Sequence, residues 1–214
     1  MGLLDRIAPR RNELETSPAP SAPVADPVFA TKALRKLLTS LVSRELPVLL
    51  DLGPVVGSNV NFFGEQLGCK IFVEDIFADL DRHVRGAKLE AFPDFLGKRF
   101  PQEDGAVDGI LCWDIFDYLD RAAAQQLAQQ LTRVLRPDGA LLGFFGTAPS
   151  RETRYTKYLI VDEVNLQHRT YPAARSRQAS LLNRDIIRLF PGLRVSESFL
   201  LQNNLREVLF RKPA

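Results

Sequence analysis

Val48-Leu-Leu-Asp-Leu-Gly-Pro-Val-Val-Gly57 is the stretch on which the reading of this chain turns. Val48-Leu-Leu50 is a short, continuous apolar run. A parallel strand covered on both faces has no solvent side for polar residues, so it reads in this uninterrupted way. Asp51 closes the run, and the turn that follows opens with Gly53-Pro54 and ends at Gly57. A glycine directly after a strand lets backbone approach a ligand closely. The Asp51 carboxylate is placed to hold a ligand's ammonium group or a neighbouring backbone amide. An acidic strand end with an ordinary turn glycine explains the same residues without any ligand.

Upstream, Ala33, Leu34, Leu37, Leu38, Leu41 and Val42 recur at helical spacing, with Lys32, Arg35, Lys36 and Arg44 between them. This predicts an amphipathic helix within residues 29–46, ended by Pro47. Before it, Pro18, Pro20, Pro23 and Pro27 punctuate a Ser/Ala-rich segment. Proline at that density removes the backbone donors of helix or sheet, so residues 1–28 read as a disordered arm ahead of a domain spanning 29–214.

Downstream, Asn59–Leu67 reads as a helix and Lys70–Val73 as a second strand closing at Glu74-Asp75. A helix around Phe77–Val84 and a short element near Leu89–Phe95 come next. Val107–Trp113 is a third strand, Ala122–Leu135 a helix stopped by Arg136-Pro-Asp-Gly139, and Ala140–Phe145 a fourth strand. Residues 147–180 read as an irregular, basic insertion or lid. Asn183–Phe190 is helical, and Leu193–Leu201 and Glu207–Arg211 are closing strands. Their short connection makes them antiparallel, because a parallel pair needs a crossover of about a dozen residues. The alternation implies an α/β fold, a doubly wound, mostly parallel sheet with an antiparallel last strand, in three α/β/α layers.

In such a sheet ligands bind outside the carboxyl ends of the strands, near the point where strand order reverses. Glu74 ends the second strand, about 20 residues after Asp51, the spacing at which an acid accepts hydrogen bonds from both hydroxyls of a ribose. Asp75 is its rival. A solvated loop acid is the alternative for either.

The net charge of +2 gives no reason to expect nucleic acid or an anionic membrane as partner. No segment approaches the ~18 consecutive apolar residues of a membrane span, and the chain lacks a signal-peptide pattern, so a cytoplasmic protein is expected. Cys69 and Cys112 beside apolar runs read as buried thiols. With His83 and His168 as the only histidines, no zinc site is expected.

Val48-Leu-Leu-Asp-Leu-Gly53 resembles the first motif of class I S-adenosylmethionine-dependent methyltransferases, an apolar strand followed by acid-x-Gly-x-Gly-x-Gly, with Asp51, Gly53 and Gly57 on three of its positions. The run Phe100-Pro-Gln-Glu-Asp-Gly-Ala-Val-Asp-Gly-Ile-Leu-Cys-Trp113 is similar to the segment leading into that family's fourth strand. Leu131-Thr-Arg-Val-Leu-Arg-Pro-Asp-Gly-Ala-Leu-Leu142 resembles its following helix, turn and fifth strand. The resemblance covers residues 30–146 and the final strands in outline. It implies S-adenosylmethionine as cofactor, with Asp51, Gly53, Pro54 and Gly57 facing its methionine end. Glu74 or Asp75 would hold the ribose, and Trp113 and Asp114 would border the methyl group and substrate. It further implies Asp114 as the residue for orientation or base work, toward an unidentified acceptor, most simply a small molecule. A core aromatic (Trp113) and a helix cap (Asp114) are the structural alternatives.

Two departures stand out. Val55 replaces the family's middle glycine, and Pro54 removes a backbone donor from the loop. They motivate a second reading, a catalytically inactive binding or regulatory module on the same fold. A nicotinamide-dependent dehydrogenase is disfavoured, since Gly53-Pro-Val-Val-Gly57 is not the G-x-G-x-x-G that seats a pyrophosphate. Arg151, Arg154, Lys157, Arg169, Arg175, Arg177 and Arg184 form a local basic stretch. An acidic substrate or RNA would suit it, though a solvated loop is the simpler account.

Overall fold

The computed structural model describes residues 26–148, 150–178 and 180–214, so the proline-rich arm lies outside the described residues up to residue 25. Nine strands are present among the described residues: β1 (Val28–Ala30), β2 (Val48–Asp51), β3 (Lys70–Val73), β4 (Val107–Trp113), β5 (Leu135–Gly146), β6 (Arg154–Asp162), β7 (Asn165–Pro172), β8 (Arg194–Leu200) and β9 (Leu205–Arg211). The helices are α1 (Leu34–Val42), α2 (Gly57–Asn61, widened into a further turn through Phe62–Gln66), α3 (Ile76–Arg85), α4 (Phe92–Gly97), α5 (Arg121–Val134) and α6 (Asn183–Leu189).

Six strands form the central sheet in the order β3-β2-β4-β5-β9-β8. β2 pairs parallel with β3 and β4, and β4 with β5, while β9 runs antiparallel to both β5 and β8. The sheet is therefore mostly parallel with an antiparallel last strand. Because the chain goes from β2 out to β3 and then back across β2 to β4, the carboxyl ends of β2 and β4 flank the reversal point.

Both faces are buried, which explains the continuous apolar runs. Leu50, Ile110, Cys112, Leu141, Phe145 and Phe210 face a core closed by α3, α4, α5 and α6. Their immediate neighbours Leu49, Leu111, Trp113, Leu142, Phe144 and Leu209 face the opposite core, with α1 and Phe63. Cys69 and Cys112 are buried and unpaired. Asp75 and Asp120 begin α3 and α5 by accepting from the backbone N–H of Ala78 and Ala123, both at 2.9 Å.

The structure corrects the expectation of irregular chain over 147–180. Residues 154–172 are a β-hairpin, β6 paired with β7 from Arg154↔Pro172 to Asp162↔Asn165. Its turn is held by Asp162, whose carboxylate accepts from Val164 N–H at 2.8 Å and from the Asn165 amide. Tyr158, Ile160 and Leu166 point inward and join the second core, while the charged residues stand outside. A second correction concerns residues 28–30, which form β1, antiparallel to β7, so that the helix starts at Leu34. Buried Glu207 on β9 fixes this junction, accepting from the Thr31 hydroxyl and, at 2.8 Å, from Lys32 N–H. The Arg136-Pro-Asp-Gly139 turn lies inside β5 as a bulge, with Asp138 at φ 60°.

Candidate functional site

Asp51 ends β2 with 3% exposure. Its Oδ1 accepts from Gly53 N–H at 2.9 Å and from the Trp113 indole N–H at 2.6 Å. Burial pushes its pKa up to about 6 against these two bonds, and the charge of Asp75 adds to the rise.

Trp113, at the carboxyl end of β4, has φ 49°, a left-handed conformation rarely adopted by a bulky residue. A register shift between Leu111 and Trp113 accompanies it. The indole lies directly over the glycine turn: a Cβ on Gly53 would stand 2.7 Å from Trp113 Cδ1 and Nε1. Gly53 is thus required here by the approach of the indole. Pro54 is buried, and Val55 is 65% exposed, turned away from the turn's inner side. Gly57 opens α2 with free space around it.

The indole stacks on Tyr158, with ring centroids 5.1 Å apart and planes 5° from parallel, and Phe144 packs against both rings. Tyr158 is held by Asn59 of α2, whose amide donates to Tyr158 O at 2.8 Å and accepts from Ile160 N–H at 2.9 Å. These bonds fasten β6 of the hairpin to α2.

Glu74 and Asp75 diverge. The Glu74 carboxylate is engaged on both oxygens, by Arg99 and by the Gln102 amide at 3.2 Å. Asp75 combines its capping bond with a place in a cleft of about 390 Å³, walled by Phe77, Asp81, Arg82, Arg85 and Tyr155. Burial raises its pKa, opposed by the capping bond and by Lys157. Of the two acids, Asp75 is the one whose charge reaches Asp51.

Asp114 is fully buried and makes no capping bond. It pairs with Arg177, Nη2 to Oδ2 at 2.6 Å, and the same guanidinium reaches Asp117 Oδ2 at 3.7 Å. Asp117 Oδ2 accepts from Gly146 N–H at 2.7 Å. Burial, then the charge of Asp114, push the Asp117 pKa up to about 7, with Arg177 opposing. Burial likewise raises Asp114, and Arg177 restrains it. Asp114 Oδ1, Asp117 Oδ1 and the Tyr158 hydroxyl are buried with no hydrogen-bond partner among the described residues. Beside them His168 is held neutral, its pKa pushed down to about 4 by burial and by Arg177.

The structure brings Asp51, Gly53, Trp113 and Asp114 to one end of the sheet, and adds Asp117, Arg177, Tyr158 and Asn59. Arg177 is visible in the sequence only as one of a basic stretch. Asp117 has a signal in Asp114-Ile-Phe-Asp117, whose three-residue spacing on one 3₁₀ turn aligns two acids. No helix among the described residues is long and apolar enough to cross a membrane, and no three His, Cys, Asp or Glu side chains among them form a metal-binding group.

No family model and no curated protein matches the sequence. The fold is similar to solved structures. The 1,6-didemethyltoxoflavin-N1-methyltransferase of Burkholderia thailandensis, solved with 1,6-didemethyltoxoflavin and S-adenosylhomocysteine, superposes with TM-score 0.50 at 14% identity, over 85% of this chain and 79% of that one. The PH0226 protein of Pyrococcus horikoshii gives 0.49 at 16% identity, over 85% and 92% of the two chains. A SAM-dependent methyltransferase of Aquifex aeolicus gives 0.47 at 16%, over 83% and 88%. At 14% identity the likeness to the first of these shows the fold alone, a Rossmann-like fold shared with a methyltransferase, and leaves the chemistry to the site.

Proposed function

We propose that this chain, with that fold as its frame, binds S-adenosylmethionine at the carboxyl ends of β2 and β4 and transfers its methyl group to a small-molecule acceptor. The observation that carries the reading is the buried Asp51 carboxylate beside the Gly53 turn, at the reversal point of the sheet. The carboxylates suit the ligand. Asp51 is placed for an ammonium group, and Asp75, facing a cleft, is better placed than the doubly engaged Glu74 for ribose hydroxyls. The indole does not suit it, because Trp113 already fills the ground above Gly53 and donates to Asp51.

The ligand supplies an electrophilic methyl group; the protein's part is to orient the acceptor and, where the nucleophile carries a proton, to take it. Asp117, with its pKa near 7, is suited to hold such a proton at neutral pH. Arg177 opposes the effect of burial on Asp114 beside it and sets its direction. A catalytically inactive binding module remains the second reading. One observation favours it: Asp51, Glu74 and Asp114 all carry partners from the protein itself.

Calorimetric titration with S-adenosylmethionine and S-adenosylhomocysteine, with NAD as control, tests the cofactor. Saturable binding of the adenosyl ligands alone, weakened by about 1–3 kcal/mol in Asp51→Ala through loss of a charge-assisted bond, supports it. Absence of binding to the folded protein overturns it. Binding without release of labelled methyl to any of a panel of small amines, phenols and carboxylates would favour the inactive module.

A further inference from the structure

Trp113 holds the position that the ligand's charged end would need. Its Nε1–H donates to the same carboxylate assigned to the ligand's ammonium group, at 2.6 Å. Its ring edge lies where any atom above Gly53 would sit. One face of the ring is closed by Tyr158 in a near-parallel stack, and Tyr158 belongs to a hairpin that is not part of the central sheet. That hairpin shares no strand pairing with the central sheet; Tyr158, Ile160 and Leu166 seat it on the second core, β1 pairs with its β7 edge, and the two Asn59 bonds and the Arg177 ion pairs tie it down.

We propose that Trp113 and the β6–β7 hairpin form a gate: the indole stands in for the ligand on Asp51, and an adenosyl ligand enters only as the indole leaves. The inference rests on the adenosyl-binding reading above and adds the residue that controls entry. The backbone supports it. Trp113 is held at φ 49° by its surroundings, and a non-glycine residue held there gains relief when the constraint is released. The closed arrangement lowers apparent affinity by the fraction of molecules that are open, so removing the plug tightens binding.

Trp113 is the sole tryptophan of the chain, so its signals report the gate alone. The experiment titrates the full-length protein with S-adenosylhomocysteine, following the indole Nε1–H resonance and the emission spectrum while calorimetry records binding. The expected result is a shifted Nε1–H resonance and red-shifted emission, both saturating with the heat. Trp113→Gly, which tolerates the positive φ, is expected to bind about ten-fold more tightly or better. Binding heat with an unmoved indole signal overturns the gate and leaves the cofactor reading intact. So does a Trp113→Gly protein that is folded but binds no tighter than wild type. Absence of binding to both proteins overturns the cofactor reading and the gate with it. The wild-type spectra decide the matter even where the variant fails to fold.

Discussion

The two ends of β4 carry buried acids of opposite character. Asp108, near the start, is satisfied: Oδ2 accepts from Val48 N–H at 2.8 Å, and Oδ1 takes Arg136 at 2.8 Å with Arg44 at 3.7 Å. It ties the beginnings of β2 and β4 to the helix and turn beside them. Asp114, just past the end, shares one arginine with Asp117, and each acid keeps an oxygen without a partner among the described residues. A buried acceptor left unmade costs about 1–3 kcal/mol. Of the two acids at the ends of β4, the one past the carboxyl end therefore carries a cost that Asp108 avoids.

The largest expected effect is that of Arg177→Met. It leaves two acids buried without their cation, and urea denaturation at pH 8 should show a loss of about 3–5 kcal/mol. A loss below 1 kcal/mol would mean that the acids are already neutral. Next is pH. The folded pKa of Asp117, about 7, lies above the unfolded value, so between pH 4 and pH 7 the native state binds the proton that the unfolded state has lost. Stability contributed by this group is complete below pH 4 and declines as pH rises toward 7, by about 2–4 kcal/mol. Asp51 adds a similar decline ending near pH 6. Asp117→Asn should make the fall of the denaturation midpoint across that range shallower, leaving the part due to Asp51.

Asp108→Asn should cost about 1–3 kcal/mol by weakening charge-assisted bonds, with no change in affinity for S-adenosylhomocysteine. Lost affinity there would erase the distinction between the two ends. The smallest effect is expected of Tyr158→Phe. Its hydroxyl is buried without a partner, so removing it should leave stability unchanged or raise it by up to about 1 kcal/mol. A marked loss would reveal a hydrogen bond to Asp114 that forms in solution.

The sheet was legible because its strands are buried on both faces and read as nearly continuous apolar runs, as in Val107–Trp113, interrupted by Asp108 yet found with its observed limits. The hairpin was not, for the converse reason. Its outer residues Arg154, Lys157 and Arg169 are polar, and only Tyr158, Ile160 and Leu166 are deeply buried, too few for alternation to stand out. The acid-and-glycine turn at Asp51–Gly53 was legible as a place. What occupies it was not, since the stack of Trp113 on Tyr158, the Asn59 clasp and the Arg177 bridge join residues distant in sequence. Local pattern carries no record of such contacts.

The pairing of β1 with β7 sets a timetable for biosynthesis. Val28 leaves the ribosome well before its partner Gln167 and the Glu207 that fixes Thr31. At ordinary elongation rates of about 5–20 residues per second, the first strand waits on the order of 10 s for its mate. Throughout that interval its backbone donors and acceptors are open to other nascent chains. A shorter wait, engineered by moving this strand to follow β7 in a permuted chain, should raise the soluble yield.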